Sequence, residues 1–233
     1  MGATAGRQIP LPVHLRDEAT LENYLPEGGG AGLLGALGQL LESDGEQVIV
    51  LHGGAGSGKS HLLQACCHLA GARAMYLPLE ELGEYPPDEV LAGAQALPLV
   101  CLDDLQAVLG DAAWERALFN LYNDSRGRGN ALLFAADSAP RNLSISLPDL
   151  QSRLSWGVVY HLCAPDDARR MEILQFRARQ RGLSMSDEVA AFLVNRAPRS
   201  MDALLNLLDR LDRASLAQQR GLSIPFVKQI LDF

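Results

Sequence analysis

Short apolar runs alternate with amphipathic stretches along the first two thirds of the chain. The apolar runs have the length and composition of buried strands and occupy Glu46–Leu51, Ala74–Leu77, Leu97–Leu102, Ala131–Ala136 and Gly157–Leu162. Helical spacing of apolar residues follows the first run, to about Leu69, and returns over Trp114–Asp124. Near-continuous apolar strands separated by helices are typical of a parallel sheet covered on both faces. The pattern therefore predicts an α/β fold with a five-stranded parallel sheet.

The pattern changes after Leu162, where only helical periodicity remains. Helix-start signals precede four segments: Ala168–Arg181, Ser186–Arg196, a stretch that begins at Ser200, and Ile224–Leu231. We therefore expect an N-terminal arm over residues 1–18, an α/β base over 19–163 and a small helical lid over 164–233.

Composition and charge exclude several classes of protein. With 48% hydrophobic and 21% charged residues the chain has an ordinary globular composition, and no apolar run approaches the roughly 20 residues of a membrane span. The N-terminus lacks the apolar core of a secretory signal, and the four cysteines lack zinc-ligand spacing, so we expect a cytoplasmic protein with reduced thiols. A net charge of −8 argues against duplex-DNA binding by the whole domain. Arg126 and Arg128 form either a local basic patch or a solvated loop.

The segment GGAGSGKS matches the phosphate-binding pattern G-x-x-x-x-G-K-[ST] in full. It directly follows a predicted strand and precedes a predicted helix, which is the context a P-loop requires; a chance glycine-rich turn is the alternative. Backbone N–H groups of such a loop point at phosphate oxygens, Lys59 reaches the β- and γ-phosphates, and the Ser60 hydroxyl ligates Mg²⁺. The predicted nucleotide-binding residues are Gly53, Gly54, Ala55, Gly56, Ser57, Gly58, Lys59, Ser60 and His61.

A P-loop enzyme also needs a carboxylate at the end of a neighbouring buried strand. The run LVCLDD supplies two, Asp103 and Asp104. We expect Asp103 to hold Mg²⁺ through water and Asp104 to orient an attacking water. The alternative is a strand end that simply becomes polar in a loop.

Five segments together carry a resemblance to a known family. In order they read GSGKSHLLQA, CLDDLQAV, FAADSAPRNL, LPDLQSRLSWG and APRSMDALLNLLDRL. They resemble the AAA+ ATPases of the replication-initiator branch, those of DnaA type, and most closely the Hda family of DnaA-homologous regulators. The resemblance runs from about Leu21 to Phe233. DnaA continues into a helix-turn-helix DNA-binding domain, whereas this chain ends after the lid, so we expect at most weak or indirect contact with duplex DNA.

The resemblance implies roles for three further polar residues. Asp137 matches sensor I, and an aspartate that starts a turn is the alternative. Arg153 matches the arginine finger, which acts in trans on the nucleotide of the next subunit; the alternative is a surface salt bridge with Asp149. Arg199 matches sensor II in the lid, with a surface arginine at a helix start as the alternative.

The resemblance also implies a base-binding segment and a peptide arm. Tyr24 and Leu25 match residues that pack beside the adenine, with Pro165 near the junction between base and lid. The arm reads QIPLPV and is similar to a peptide that binds the DNA polymerase sliding clamp (its beta subunit), with Gln8, Leu11, Pro12 and Val13 as the contacting residues. A stiff lead-in to the domain is the alternative for the arm.

These residues and the resemblance lead to one function and two competitors. The family implies a regulator that binds ADP or ATP with Mg²⁺, is tethered to the DNA-loaded clamp, and presents Arg153 to ATP-bound DnaA, so that the bound ATP is hydrolysed and re-initiation is repressed. A finger that acts in trans requires association with another subunit, so a homo-oligomer or dimer is expected. The competitors are a self-sufficient ATPase, such as a helicase loader or initiator-like motor, and a small-molecule kinase.

Overall fold

The computed structural model describes residues 15–27, 31–42, 45–198 and 200–232. The chain divides into two compact units, Met1–Cys163 and Ala164–Phe233, which we call the base and the lid.

The base is built on five parallel strands, as the apolar runs predict. They are β1 (Val48–His52), β2 (Ala74–Pro78), β3 (Leu99–Asp103), β4 (Ala131–Ala136) and β5 (Val158–His161), in the spatial order β2-β3-β4-β1-β5. The register aligns His52 of β1 with Ala136 of β4 and with His161 of β5. The carboxyl ends of the central strands therefore lie at one edge of the sheet.

Helices cover both faces of the sheet because the strand residues alternate between two apolar clusters. Ile49 and Leu51 face the cluster that contains Leu62 and Leu63, and Val50 faces the other cluster. The helices of the base are α1 (Ala31–Gly38), α2 (Lys59–Ala70), α3 (Leu79–Leu82), α4 (Pro87–Val90), α5 (Ala112–Gly127) and α6 (Pro148–Trp156). The predicted α/β class is confirmed, while α1, α3, α4 and α6 were not predicted from the periodicity.

The lid consists of helices with their own core. They are α7 (Asp167–Gln180), α8 (Asp187–Arg196), α9 (Met201–Gln218) and α10 (Ile224–Leu231). Each begins after a side chain that caps its first turn, from Asp166, Ser186, Ser200 and Ser223. Apolar residues such as Leu174, Leu193, Leu208 and Phe226 are fully buried between the helices. The predicted lid helices are therefore present within one or two residues of their expected bounds.

Candidate functional site

The loop between β1 and α2 passes so close to neighbouring segments that two of its glycines have no room for a side chain. A Cβ on Gly53 would lie 2.0 Å from the carbonyl oxygen of Leu162, and one on Gly58 would lie 2.8 Å from the ring of Tyr24. The φ angle of Gly58 is also positive, at 93°, which is the left-handed region that glycine tolerates best. The loop therefore wraps tightly around the end of β1 and leads directly into α2.

Lys59 is the first residue of α2, and its ammonium group turns back into this loop. Its Nζ donates to the carbonyl oxygens of Gly53 at 2.7 Å and Gly54 at 3.1 Å, and the side chain is buried. The Ser57 hydroxyl nearby in the loop is buried without a hydrogen-bond partner. An inward ammonium, an unpaired buried hydroxyl and the first N–H groups of α2 together suit an anion such as a phosphate group.

Asp103 lies at the end of β3 and is only 1% exposed. Its Oδ2 accepts a 2.7 Å hydrogen bond from the Tyr76 hydroxyl, and its Oδ1 accepts a 3.1 Å bond from the backbone N–H of Asp104. Burial raises the pKa of Asp103, and hydrogen bonds from Ser60 and Tyr76 offset part of that rise. A nearby cation would favour the charged carboxylate, so Ser60 and Asp103 fit a Mg²⁺ ion held partly through water.

A hydrogen-bonded chain continues from the Tyr76 hydroxyl into the segment before α1. Gln64 of α2 donates to that hydroxyl at 3.3 Å and accepts from the backbone N–H of Arg16 at 3.0 Å. The pKa of Tyr76 is raised by burial and then by the neighbouring Asp103 carboxylate, so the hydroxyl remains a donor at neutral pH. Tyr76 and Gln64 therefore orient Asp103, and neither was singled out in the sequence.

A glutamine links the side chain of Asp104 to the backbone of Asp137, the two predicted catalytic aspartates. Gln106 donates from Nε2 to Oδ1 of Asp104 at 3.0 Å, and its Oε1 accepts from the backbone N–H of Asp137 at 3.0 Å. Asp104 adopts a left-handed backbone conformation, with φ at 55°, and the Asp137 side chain is exposed. The structure thus brings Asp104 and Asp137 to the same edge of the sheet. Gln106 was missed, although its amide could have been noticed because it can donate and accept at once.

Tyr24 and His61 border the loop on the side of the α2 helix. Their ring centroids are 6.0 Å apart, and the His61 ring nitrogen Nε2 lies 2.9 Å from the carbonyl oxygen of Thr20. Leu25 follows Tyr24 in the same half-buried segment. Pro165 is buried at the start of the lid, whereas Arg199 and the arm residues Gln8, Leu11, Pro12 and Val13 lie outside the described residues.

A stacked histidine pair lies beside the phosphate loop at the carboxyl ends of β1 and β5. The centroids of His52 and His161 are 4.9 Å apart with an interplanar angle of 29°. The pKa of His52 is lowered, first by burial and then by the positive charges of His161, Lys59 and Arg141. Lys59 and Arg141 therefore make the surroundings of the β1 and β5 ends electropositive, which suits an anion there.

Arg153 lies away from this edge, on α6, which packs on the same sheet face as α5. Its guanidinium carbon is 4.7 Å from the centroid of the Trp156 ring and 6.0 Å from that of Tyr122. Trp156 is 63% exposed, and Arg153 is half-buried near both rings. Within the described residues it forms no ion pair with Asp149. Arg126 lies near the same group, where it donates to the Tyr122 hydroxyl at 3.3 Å.

Two features are absent from the described residues. No group of three or more His, Cys, Asp or Glu side chains there is arranged to hold a metal ion. Among the described helices, none has both the length and the apolar character that crossing a membrane requires.

A P-loop on a parallel sheet of order β2-β3-β4-β1-β5, followed by a helical unit, defines an AAA+ protein. Solved structures share this fold. The chain superposes on domain III of the replication initiation protein DnaA of Thermotoga maritima with a TM-score of 0.73 and 21% identity, over 94% of this chain and 98% of that one. AMPPCP-bound DnaA of Aquifex aeolicus gives 0.70 and 22%, over 89% and 70%. The RuvB branch migration motor of T. maritima gives 0.65 and 16%, over 94% and 72%.

Sequence comparisons identify the branch of AAA+ proteins. Residues 167–231 match the family model of the Hda lid domain. The chain is also 44% identical over 230 residues to an uncharacterized protein of Haemophilus influenzae, covering 97% of this chain and 99% of that protein. The chain belongs to the Hda family of DnaA-related AAA+ proteins.

Proposed function

We propose that this protein is a nucleotide-bound regulator that promotes hydrolysis of the ATP bound to the initiator DnaA and so represses re-initiation of replication. Membership of the Hda family supports the link to DnaA. The observation that carries the proposal is the position of Arg153. It lies on α6 with its guanidinium near the rings of Trp156 of α6 and Tyr122 of α5, and it is not among the residues around the phosphate loop.

The protein's own nucleotide is held by the residues around the phosphate loop. ADP or ATP with Mg²⁺ would supply the negative phosphates and the divalent charge that this edge of the sheet lacks. Lys59 neutralises phosphate charge, while Ser60 and Asp103 hold the metal partly through water. Tyr24 and His61 border the loop, and we place the base beside them. That DnaA of A. aeolicus binds AMPPCP on the same fold supports a nucleotide here.

Arg153 acts on a different nucleotide, the one bound to the initiator. A guanidinium keeps its charge at every physiological pH and presents a rigid fork of donors, so it can stabilise charge that develops on a transferring phosphoryl group. In comparable systems such an arginine contributes about 10³- to 10⁵-fold to the rate. Because the rings of Tyr122 and Trp156 hold the guanidinium before the partner arrives, little conformational entropy is lost on docking.

Tethering to the sliding clamp completes the proposal. The candidate contacts Gln8, Leu11, Pro12 and Val13 lie outside the described residues, and family membership is their support. The net charge of −8 fits a regulator that reaches DNA through the clamp rather than through its own surface.

The testing experiment measures phosphate release from ATP-bound DnaA with this protein and DNA-loaded clamp, added separately and together. We expect stimulation only with both components, and its loss on deletion of residues Gln8 to Val13. Arg153→Ala should reduce the stimulated rate about 10³-fold or more, while the matched control Arg116→Ala, on the exposed face of α5, keeps it. Full stimulation by Arg153→Ala would refute the finger.

A self-sufficient ATPase is the second candidate, favoured by the hydrogen-bonded grouping of Asp104, Gln106 and Asp137. It predicts rapid turnover by the protein alone that is lost in Lys59→Ala and indifferent to the clamp. The same phosphate-release assay without DnaA separates the two functions.

A further inference from the structure

Glu115 of α5 is a carboxylate buried in the base, only 1% exposed. It takes part in no ion pair within the described residues, and its oxygens accept instead from the backbone. Oε1 accepts from Gly110 at 2.8 Å and Ser146 at 2.9 Å, and Oε2 accepts from Leu147 at 2.7 Å. Burying a carboxylate is costly unless such bonds compensate it, so a residue of this kind holds its three donors firmly in place.

Two of the three donors lie directly before α6. Leu147 is the residue that precedes the helix, and α6 has no side-chain cap of its own. Glu115 reaches it from 32 positions earlier in the chain. The carboxylate therefore fixes the N-cap residue of α6 and the residue before it, in the way that the glutamate of a capping box accepts from the N-cap N–H, and its negative charge lies at the end of the helix where the backbone dipole favours it.

The same helix α5 contacts α6 again, at its other end. Tyr122 lies two turns beyond Glu115 on α5, and its ring is one of the two that hold Arg153. Between these attachments Leu150 and Leu154 of α6 are fully buried. Glu115 fixes the beginning of α6, and Tyr122 contacts its arginine near the end. Since α6 has only nine residues, a displacement at its start carries through to Arg153.

We propose that Glu115 is a positioning residue for Arg153: its bonds to Ser146 and Leu147 set where α6 begins and thereby where the guanidinium is presented to the partner's nucleotide. This inference rests on the proposed function, because it assumes that Arg153 acts in trans. A misplacement of about 1 Å can cost as much as 10²-fold in rate, so a residue that never touches the partner can control catalysis.

Glu115→Gln is the variant that tests the proposal. The amide keeps the shape of the side chain, but its NH₂ group faces at least one backbone N–H and can no longer accept from it. The control is Asp124→Asn, the same chemical change on an exposed position of α5. For both variants we would measure hydrogen exchange at Ser146 and Leu147, nucleotide affinity, and the stimulated hydrolysis rate against DnaA concentration.

We expect Glu115→Gln to accelerate exchange at the two amides and to lower the maximal stimulated rate about 10- to 100-fold. The half-saturating DnaA concentration and the nucleotide affinity should stay unchanged. A general loss of structure would change these two quantities together with the maximal rate. Rates are compared per folded molecule, with saturating ADP to stabilise the fold. Asp124→Asn should match the parent protein in every readout.

Arg153→Ala in the same assay separates the two ways of failing. If Arg153→Ala is inactive but Glu115→Gln retains the full maximal rate, the positioning role is refuted and the proposed function stands. The positioning role is also refuted if the rate falls while exchange at Ser146 and Leu147 is unchanged. If Arg153→Ala remains fully active, the finger itself is refuted and the positioning role with it.

Discussion

Glu115 and Asp103 are carboxylates of the base that are almost completely buried, and they differ in the kind of group that donates hydrogen bonds to them. Around Glu115, backbone N–H groups from two separate segments fill the acceptor positions. Around Asp103, one backbone N–H and the hydroxyls of Tyr76 and Ser60 are available, and burial still raises its pKa. The first environment is complete within the chain, whereas the second would be stabilised by a cation. The contrast distinguishes a carboxylate that stabilises the fold, Glu115, from one that can bind a cation, Asp103.

The contrast extends to the arginine and the lysine of the two regions. Lys59 points inward to the loop carbonyls near Asp103. Arg153 lies on α6, the helix that Glu115 anchors, near the exposed ring of Trp156 and the buried ring of Tyr122. We therefore expect changes around Asp103 to affect binding of the protein's own nucleotide, and changes around Glu115 to affect only action on a partner.

The largest effect on this comparison should come from Lys59→Ala. It removes the buried ammonium, so affinity for ADP should fall about 100-fold or more, as for one partner of a buried charge pair. Titration with a fluorescent ADP analogue measures it. Lys228→Ala, at the chain's other lysine, is the control and should bind normally. Unchanged affinity for ADP in Lys59→Ala would mean that the region around Lys59 and Asp103 does not bind the protein's own nucleotide, and the two regions would then not differ in this way.

A smaller effect is expected from Tyr76→Phe. Asp103 loses the 2.7 Å hydrogen bond to Oδ2, which should lower the free energy of unfolding by about 1–2 kcal/mol. Urea unfolding measures the loss, with the half-exposed Tyr85→Phe as a control that should change little. Equal free energies of unfolding for the two variants would mean that Asp103 does not depend on the hydrogen bond from Tyr76. Its environment would then be as complete without Tyr76 as that of Glu115 is with its backbone donors.

The smallest effect concerns pH and His52. Since the pKa of His52 in the folded protein lies below its usual value of about 6.5, the unfolded chain takes up the proton first as pH falls. His52 therefore costs the protein stability below about pH 6.5, and none well above it. His52→Gln should slightly flatten the fall in melting temperature between pH 7 and 5.5, because solvent screens the charge interactions of this partly exposed side chain. An unchanged slope would show that this charge cluster does not resist protonation.

The sequence was sufficient for those parts of the site whose residues are close together in the chain. The P-loop and the pair Asp103 and Asp104 follow strand ends, and short, near-continuous apolar runs located those strands. The α/β class and the helical lid followed from the same reasoning. Asp137 was singled out by the family resemblance, and it follows β4, whose carboxyl end lies at the same edge because the strands are parallel.

The supporting residues could not be predicted, because their contacts join distant segments. Tyr76 meets Asp103 across 27 positions, and Glu115 meets Ser146 across 31. Nothing in the local sequence distinguishes Glu115 from an exposed glutamate on an amphipathic helix. The helix α6 was missed since its nine residues contain few apolar positions and begin at a proline. Such features depend on packing rather than on periodicity.

The steric crowding at Gly53 and Gly58 explains which substitutions the loop can accept as its sequence diverges. The general pattern fixes glycine at these two positions and leaves the four between them open. At Gly53 a methyl group would collide with the Leu162 carbonyl, and at Gly58 it would have to displace the Tyr24 ring. At Gly56 the space is open, and only its left-handed backbone, which asparagine and aspartate also adopt, limits the choice. The neighbours of the loop therefore set part of the constraint on its sequence: a smaller residue at Tyr24 would remove the steric restriction at Gly58 but not the restriction from its positive φ.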